Sequence, residues 1–186
     1  MATSRFWNDI TIEPKRSFRF FATFSGDNNA IESYAIKTVK KPSFQISEQQ
    51  HQYVAHTFYY PGRITWQPVD ITFVDPVRMD NTSVITNMLY QAGYRKPGNE
   101  IIARKSFSKA KFNQALGEIR ISQIDAEGAM IDEWSLVNCF FTNVDYGQLD
   151  YNSEELVVLS TTIRYDYASF NNMNGEPASL LNSNAT

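Results

Sequence analysis

The sequence predicts a mainly β fold of two packed antiparallel sheets, arranged as a sandwich or barrel-like domain, with one short flanking α-helix. Aromatic residues (13 Phe, 10 Tyr and 3 Trp) make up 14% of the 186 residues, and aromatic side chains are enriched in strands. Apolar and polar residues alternate in several short runs, which is the period of half-buried strands. Gly, Pro, Asn and Asp separate these runs, as they do at turns between strands.

The chain divides into three parts. Residues 1–16 contain Phe6 and Trp7 ahead of any regular pattern, which predicts an N-terminal arm that docks elsewhere. Residues 17–170 carry the alternating pattern and are predicted to form a single domain, long enough for a sizeable core. Residues 171–186 are rich in Asn and Ser and are predicted to form a flexible tail.

The N-terminal half of the domain predicts strands separated by one polar segment. Residues 17–24 and 31–39 alternate on either side of a Gly-Asp-Asn-Asn turn and predict a β-hairpin. Residues 43–56 are polar and rich in Gln, which predicts a long excursion from the core. Pro61-Gly62 predicts a turn. The strand over 64–73 shifts its apolar phase by one residue at Gln67-Pro68, as at a β-bulge.

One segment has the period and the end signals of a helix. Asp80 is suited to the N-cap and Gly93 to the position after the C-cap. The helix is too short to be stable alone, so its apolar stripe must pack on a sheet. The stripe consists of Val84, Ile85, Met88, Leu89 and Ala92. Residues 94–112 follow with a basic, irregular composition and predict a long loop.

The last third of the domain returns to strands. Residues 119–124 and 130–139 flank a turn at 125–128 and predict a second hairpin. A final strand is predicted from Leu156 to Tyr167, with one apolar face. Its other face becomes polar toward the end, which predicts contact with water or with a charged lumen. The polar residues of that face are Ser160, Thr162, Arg164 and Asp166.

Candidate catalytic residues are few. His51 and His56 are five residues apart, which places them on opposite faces of a strand. Cys139 has apolar neighbours and is predicted to be a small core residue. Adjacent carboxylates at 132–133 and 154–155 diverge on a strand, so paired-carboxylate hydrolysis is unsupported. With no nucleotide-binding glycine loop or nucleophile elbow in the sequence, we expect no enzymatic activity, cofactor, metal or small-molecule substrate.

Charge is distributed unevenly along the chain. The formal net charge is −3, which argues against a protein whose main task is to bind nucleic acid. Residues 1–112 carry 15 Lys and Arg against 9 Asp and Glu, a net of +6, whereas residues 113–186 carry 2 against 11, a net of −9. This difference creates complementary faces between copies of the chain, unless folding mixes both signs. We expect the basic residues of 95–111 to contact an acidic neighbouring subunit.

Composition also bears on the compartment. The polar N-terminus lacks the apolar core of a secretory signal, and no apolar run reaches the roughly 18 residues that a membrane span needs. A single cysteine excludes an intramolecular disulfide. Folding in a reducing cytoplasm is therefore expected.

Three segments of the chain stand in a characteristic order and spacing. They are Lys41-Pro42 with Tyr60-Pro61-Gly62 and the strand 66–75, then Phe-Phe-Thr-Asn-Val at 140–144, then Gln-Leu-Asp-Tyr-Asn-Ser at 148–153 with the closing strand to Tyr167. In this order they resemble the tail tube proteins of contractile-tailed bacteriophages, a family related to the tubes of type VI secretion and contractile bacteriocins. The resemblance covers residues 17–170.

The resemblance implies hexameric rings that stack into a tube, with inner strands joined into one ring-wide β-barrel. It implies partners: further copies of the chain, a tail sheath protein, baseplate and tail terminator proteins, a tape-measure protein and, transiently, DNA in the lumen. Residues 43–56 correspond to the family's long hairpin loop, which touches the next ring. Candidate stacking residues there are Gln45, Glu48, Gln50, His51 and Tyr53. The polar face of the final strand is the candidate lumen lining, and the location is the virion tail after assembly in the host cytoplasm.

Three alternatives stay open. Asn138 and Phe141 stand where many relatives have Gly and Pro, and the arm and tail are longer, which also fits a tube-initiating baseplate relative. A monomeric β-sandwich binding module would use Tyr59, Tyr60 and Trp66 as its recognition surface. A small hydrolase would need carboxylates brought together from distant positions.

Overall fold

The computed structural model describes residues 13–26, 31–78, 80–98, 104 and 106–172. Its strands are β1 Phe20–Phe24, β2 Ile36–Val39, β3 Ser43–Tyr53, β4 His56–Gln67, β5 Val69–Val74, β6 Ile119–Ile124, β7 Met130–Val137, β8 Phe140–Asp145, β9 Val158–Arg164 and β10 Tyr167–Asn172. Its α-helices are α1 Asn81–Gln91 and α2 Lys109–Leu116. Phe6, Trp7 and most of the predicted tail lie outside the described residues, and the domain boundaries stay predictions.

Two four-stranded antiparallel sheets form the body of the domain. The first sheet has the order β1-β6-β7-β10 and the second sheet has the order β2-β5-β9-β8. β3 and β4 pair only with each other in the described chain. The predicted mainly β class with antiparallel sheets is confirmed.

One hydrophobic core joins the two sheets and both helices. Phe24 of the first sheet and Phe73 of the second pack with ring centroids 6.0 Å apart, so the sheets contact each other directly. Fully buried side chains come from every layer: Ile119, Ile121, Leu136, Ile71, Phe73, Leu159, Ile163, Ile85, Met88 and Leu116. Burying each large apolar side chain contributes about 1.5–3 kcal/mol, so this core supplies the main stabilisation.

Helix α1 has the predicted ends and the predicted buried stripe. The Asp80 carboxylate accepts the backbone N–H of Ser83, and Gly93 adopts a positive φ of 116° just beyond the last turn. Asp75 adds a second cap, because its carboxylate accepts the backbone N–H of Asn81 at 2.9 Å. Ile85 and Met88 are fully buried in the core.

The second predicted hairpin and the core position of Cys139 are also confirmed. β6 and β7 pair through the turn at 125–128, where the Asp125 carboxylate accepts the backbone N–H of Ala129 at 2.8 Å. The Cys139 thiol is buried and donates to the carbonyl of Leu136. Desolvation raises the pKa of this thiol to about 12, which disfavours the thiolate at neutral pH.

The predicted N-terminal hairpin is wrong. β1 pairs with β6, whereas β2 pairs with β5, so the two segments lie in different sheets. Alternation identifies each strand and its buried face, but both sheets of a sandwich bury a face of the same kind. The chain therefore passes from the first sheet to the second between β1 and β2 instead of pairing these strands with each other.

The predicted single final strand is also wrong, for a related reason. β9 pairs with β5 and β8 in the second sheet, and β10 pairs with β7 in the first sheet. Between them, Tyr165 is buried and the backbone N–H of Asp166 donates to the carbonyl of Val137 at 3.0 Å. Burial changes phase by one residue at this crossing, since Tyr165 and Ala168 are buried whereas Tyr167 is 52% exposed. Tyr167 nevertheless continues the apolar period of the sequence, so the sequence pattern does not reveal the break.

The expectation of one flanking helix is corrected to two. Residues 94–112 were predicted to be a loop, but α2 begins at Lys109 and buries Phe112, Ala115 and Leu116. The helix ends at Gly117, with a φ of 68°, where a Cβ would lie 2.4 Å from the backbone nitrogen of Gly26. This helix is difficult to recognise in the sequence, because its apolar stripe spans only two turns and its first residues are basic.

Asp166 links three separate elements. Its carboxylate accepts hydrogen bonds from the Lys109 ammonium at 2.6 and 2.8 Å and from the Asn138 amide at 2.8 Å. Lys109 begins α2, and Asn138 lies between β7 and β8 with a φ of 59°, a conformation that Asn tolerates better than most residues. The hydrogen bonds from Lys109 and then from Asn138 lower the pKa of Asp166 below its ordinary 3.8.

We expect Asp166→Asn to lower the melting temperature at neutral pH. The loss should be about 1 kcal/mol or less in the free energy of unfolding, because the Lys109–Asp166 pair is exposed to solvent. A lowered folded-state pKa means that this stabilisation is present above the unfolded value of 3.8 and is lost as the pH falls through the folded value. The difference in melting temperature between wild type and variant should therefore shrink with acidification.

Thermal unfolding from neutral to acidic pH tests this expectation. Asp150→Asn is the matched control, because Asp150 accepts hydrogen bonds only within its own exposed loop. A D166N difference that stayed constant across the acid range would contradict the assigned role of the carboxylate.

Candidate assembly surfaces

β3 and β4 form a long two-stranded hairpin that extends away from the body. Every residue of β3, and every residue of β4 up to Thr65, is exposed. Its base is fixed by Trp66, whose ring centroid lies 5.3 Å from that of Phe44 and 5.9 Å from that of Tyr165. A two-stranded hairpin is marginally stable alone in water, so the outer half of this one is suited to completion by another molecule.

The sequence placed the turn of this hairpin incorrectly. Residues 43–56 contain a full strand, and Pro61-Gly62 lies inside β4 instead of at a turn. The register shifts there, and the backbone N–H of Arg63 donates to the Ser47 hydroxyl at 2.9 Å. A bulge of this kind accommodates proline, and Gly62 suits this position because a Cβ would lie 2.9 Å from the backbone carbonyl oxygen of Ser47.

The outer half of the hairpin is amphipathic. Directly opposed residues share a face, and Tyr53 opposes His56 while His51 opposes Phe58. The aromatic face consists of His51, Tyr53, His56, Phe58 and Tyr60, beside Gln49. Its large side chains (Tyr53, Phe58 and Tyr60) are 48–66% exposed. The opposite face carries Glu48, Gln50, Gln52, Thr57, Tyr59 and Pro61.

The five predicted stacking residues are divided by this arrangement. His51 and Tyr53 lie on the aromatic face, whereas Glu48 and Gln50 lie on the opposite face. Gln45 opposes Thr65 near the base. The sequence analysis did not include Phe58 and Tyr60 among the candidate residues of this surface. The run of three aromatic residues at 58–60 was the signal that could have identified them.

The two histidines share one face, which corrects the expectation that they diverge. They lie on different strands, because the chain reverses between them at Val54 and Ala55. Val54 takes a positive φ of 53°, an unusual conformation for a β-branched residue, and its side chain is exposed at the tip.

The second sheet presents a polar outer face. Its cross-strand rows align Thr72 with Ser160 and Asp145, and Asp70 with Thr162 and Asn143. The Thr162 hydroxyl donates to the Asp70 carboxylate at 2.9 Å. These six residues define the polar face: Asp70, Thr72, Asn143, Asp145, Ser160 and Thr162.

Three of the four candidate lumen residues lie on or beside this polar face. Ser160 and Thr162 are part of it, and Arg164 follows them on the same side of β9 while donating to the carbonyl of Trp66 at 3.2 Å. Asp166 is placed differently, in the turn after β9, where its carboxylate binds Lys109 and Asn138. The structure therefore brings three of these residues together and gives Asp166 a structural contact.

The outermost strands of the second sheet are β2 and β8, and each has one paired neighbour in the described chain. All neighbouring pairs in this sheet are antiparallel. With four strands, β2 and β8 therefore run in opposite directions. Unpaired N–H and C=O groups on such edges favour pairing with another chain.

The other candidate sites do not converge. Tyr59 and Tyr60 lie on opposite faces of the hairpin and Trp66 is half-buried at its base, so they do not form one recognition surface. Asp132 is buried and paired with Lys15. Within the described ranges there is no group of three or more potential metal ligands. No helix in the described part of the chain is long and apolar enough to cross a membrane.

Comparison with known proteins gives a likeness of fold. No protein-family model matches the chain, and no curated protein sequence matches it. A chain from the anti-feeding prophage (AFP) baseplate, solved by cryo-EM with 6-fold symmetrisation, aligns over 86% of this chain and 96% of that one, with a TM-score of 0.61 and 13% identity.

Two structures of an extracellular contractile injection system also match. A chain from its PVC sheath/tube terminator has a TM-score of 0.58 and 17% identity over 86% of this chain and 97% of that one. A chain from its PVC sheath-tube complex has a TM-score of 0.54 and 21% identity over 86% and 92%. The resemblance indicated by the sequence is thus confirmed in the fold, which this chain shares with components of contractile injection systems.

Proposed function

We propose that this chain is a structural subunit of a tail-like tube, forming stacked hexameric rings inside a contractile sheath. The observation that carries the proposal is the long hairpin, which exposes an aromatic face to solvent. Six subunits per ring rest on the family resemblance, and the 6-fold symmetrised AFP baseplate supports that number.

The geometry of the second sheet supports ring closure. A rotation about a ring axis brings β8 of one copy beside β2 of the next, and because these strands run in opposite directions the new pair is antiparallel. Such a heterologous contact forms a ring when the rotation closes, and closure leaves this sheet without an edge.

The polar face then lines the lumen. Asp70 and Asp145, together with the adjacent Arg164, give it mixed charge, and its hydroxyls keep it wetted. A surface without a cluster of cations does not bind polyphosphate strongly, so tape-measure protein and DNA can pass without adhering. The passage of tape-measure protein and DNA is implied by the family resemblance alone.

Stacking is assigned to the long hairpin. Its outer half lies beyond the sheets, where a contact along the tube axis would bury the aromatic face against the next ring. Partners outside the ring are a sheath, a baseplate and a terminator, as the matched assemblies indicate. The protein would accordingly be located in the tail of a phage-like particle, after assembly in the host cytoplasm.

A second candidate is a tube-initiating baseplate subunit, favoured by the likeness to a chain of the AFP baseplate. It uses the same ring contacts but forms one or two rings instead of a long tube. The distinction lies in whether copies of this chain stack on one another without limit.

Negative-stain electron microscopy of the concentrated protein should show rings and hollow stacks. Long tubes support the main tube subunit, and rings that stop at one or two layers support the baseplate candidate. A chain that stays monomeric at high concentration, and also when a preformed baseplate is added, would contradict both.

The aromatic face and the polar face of the hairpin should differ in their effect on stacking. Tyr53→Ala with Phe58→Ala should abolish tubes while leaving rings, because both side chains lie on the aromatic face. Gln50→Ala with Gln52→Ala, on the opposite face, is the matched control and should have a weaker effect. Electron microscopy and sedimentation measure the outcome, and both pairs should leave the melting temperature of the body nearly unchanged.

Cysteine labelling tests which sheet faces the lumen. Thr162→Cys should react with a small maleimide in both subunit and tube, but with a polymer-linked maleimide only in the free subunit. Ser169→Cys, on the outer side of the first sheet, should react with both reagents in both states. Buried Cys139 gives a low background. Protection of Ser169→Cys instead of Thr162→Cys in the tube would show that the first sheet, and not the second, faces the lumen.

A further inference from the structure

An apolar cleft runs beside the edge strand β8. It has a volume of about 520 Å³ and lies between β8 and the two helices. Tyr94, Phe107, Phe112 and Phe140 form a continuous series of rings along it, with successive centroids 6.0, 5.2 and 6.2 Å apart. The cleft opens on the core side of the second sheet, because Phe141 and Val144 of its lining oppose Ile163 and Thr161, which are buried.

The opposite edge of the same sheet carries two protruding aromatic side chains. Phe18 is 73% exposed and Tyr34 is 70% exposed, and both flank β2 together with Phe20. The Arg19 guanidinium covers one side of the Phe18 ring at 5.6 Å and leaves the remainder in water. Both rings are therefore solvent-exposed in the single subunit.

The two edges match in direction. In an antiparallel pair that closes the ring, the end of β2 lies toward the start of β8, and the start of β2 lies toward the end of β8. Phe18 lies near that end, since Lys41 donates to Gln123 at 2.6 Å and Gln123 opposes Phe20. Phe18 therefore lies toward the aromatic end of the cleft, and Tyr34, which precedes β2, lies toward the end at Val144.

The charges at the two edges also match. Lys37 lies on β2 and is exposed, and the exposed Asp145 ends β8. The loop after β8, residues 146–157, adds Asp150, Glu154 and Glu155 and contains no Lys or Arg. The antiparallel pairing brings the start of β2 to the end of β8, so Lys37 faces this acidic end.

We propose that Phe18 and Tyr34 of one copy insert into the β8 cleft of a second copy, with Lys37 of the first facing Asp145 of the second. The occupant is a second copy of this chain, because the cleft and the side chains that fill it lie at the two edges that ring closure joins. This inference rests on the proposed function, since it requires β2 and β8 to meet. Two aromatic side chains bury about 300–500 Å², a large share of the roughly 800 Å² per partner of a stable interface.

Charge reversal tests the pairing. Lys37→Glu alone and Asp145→Lys alone should each raise the concentration for half-maximal ring formation by about threefold to tenfold. The double variant should return it to near the wild-type value. Glu127→Lys, in the exposed turn between β6 and β7, changes the net charge as Asp145→Lys does and should have no effect. Sedimentation velocity measures the ring fraction, and a double variant no better than the single ones would overturn the pairing.

Disulfide trapping tests the aromatic contact. Phe18→Cys combined with Phe107→Cys should give covalent ladders up to the size of one ring on a non-reducing gel. Leu149→Cys with Phe107→Cys is the control, because Leu149 is 82% exposed but lies outside the cleft, and it should give no ladder. Both native side chains are more than half exposed, so the variants should fold, and thermal unfolding verifies this.

The outcomes separate this inference from the proposed function. Rings that form normally but give no Phe18–Phe107 ladder and no charge rescue overturn the inference and leave the tube subunit standing. Failure of the wild-type chain to form rings with or without a baseplate overturns both. If the disulfide ladders form but the double charge variant does not recover ring formation, the aromatic contact is supported and the Lys37–Asp145 pairing is overturned.

Discussion

The open edges of the second sheet are the constraint on which the rest of this structure depends. β2 and β8 are the outermost strands of the described sheet. The helices pack into the core and do not pair with either strand. The long hairpin is anchored at its base and does not turn back to cover them. Because unpaired edges favour association, the fold is suited to completion by copies of itself, and an even number of antiparallel strands allows a uniform ring.

Elements whose signals are local were predictable from the sequence. The caps of α1, Asp80 and Gly93, act within one helical turn, and the β6–β7 hairpin is held by contacts of Asp125 with its own turn. Strand partners were not predictable, because β1 and β2 bury equivalent faces against one core from opposite sides. The crossing at Tyr165 and Asp166 was hidden because Tyr167 continues the apolar period of β9 in the sequence, although its side chain is exposed and Ala168 is buried instead.

The candidate site shows the same limit. Pro61-Gly62 has the composition of a turn but forms a bulge, and the true turn at Val54-Ala55 has none of the residues that favour positive φ. Glu48, Gln50, His51 and Tyr53 were chosen as stacking residues by resemblance, and their division between two faces depends on where the chain reverses. The register of β4 against β3 is what places Phe58 and Tyr60 on the aromatic face with His51 and Tyr53.

The aromatic content has a different meaning in the structure than composition alone suggests. Among the described residues, thirteen Phe and Tyr side chains are exposed, whereas five are buried in the core. A monomer gains nothing from exposing so much apolar surface, which in soluble proteins marks sites of association. These exposed rings concentrate on the hairpin, beside β2 and along the β8 cleft. Most of the described aromatic side chains therefore lie on the surface of the subunit, where they support the proposed contacts between copies.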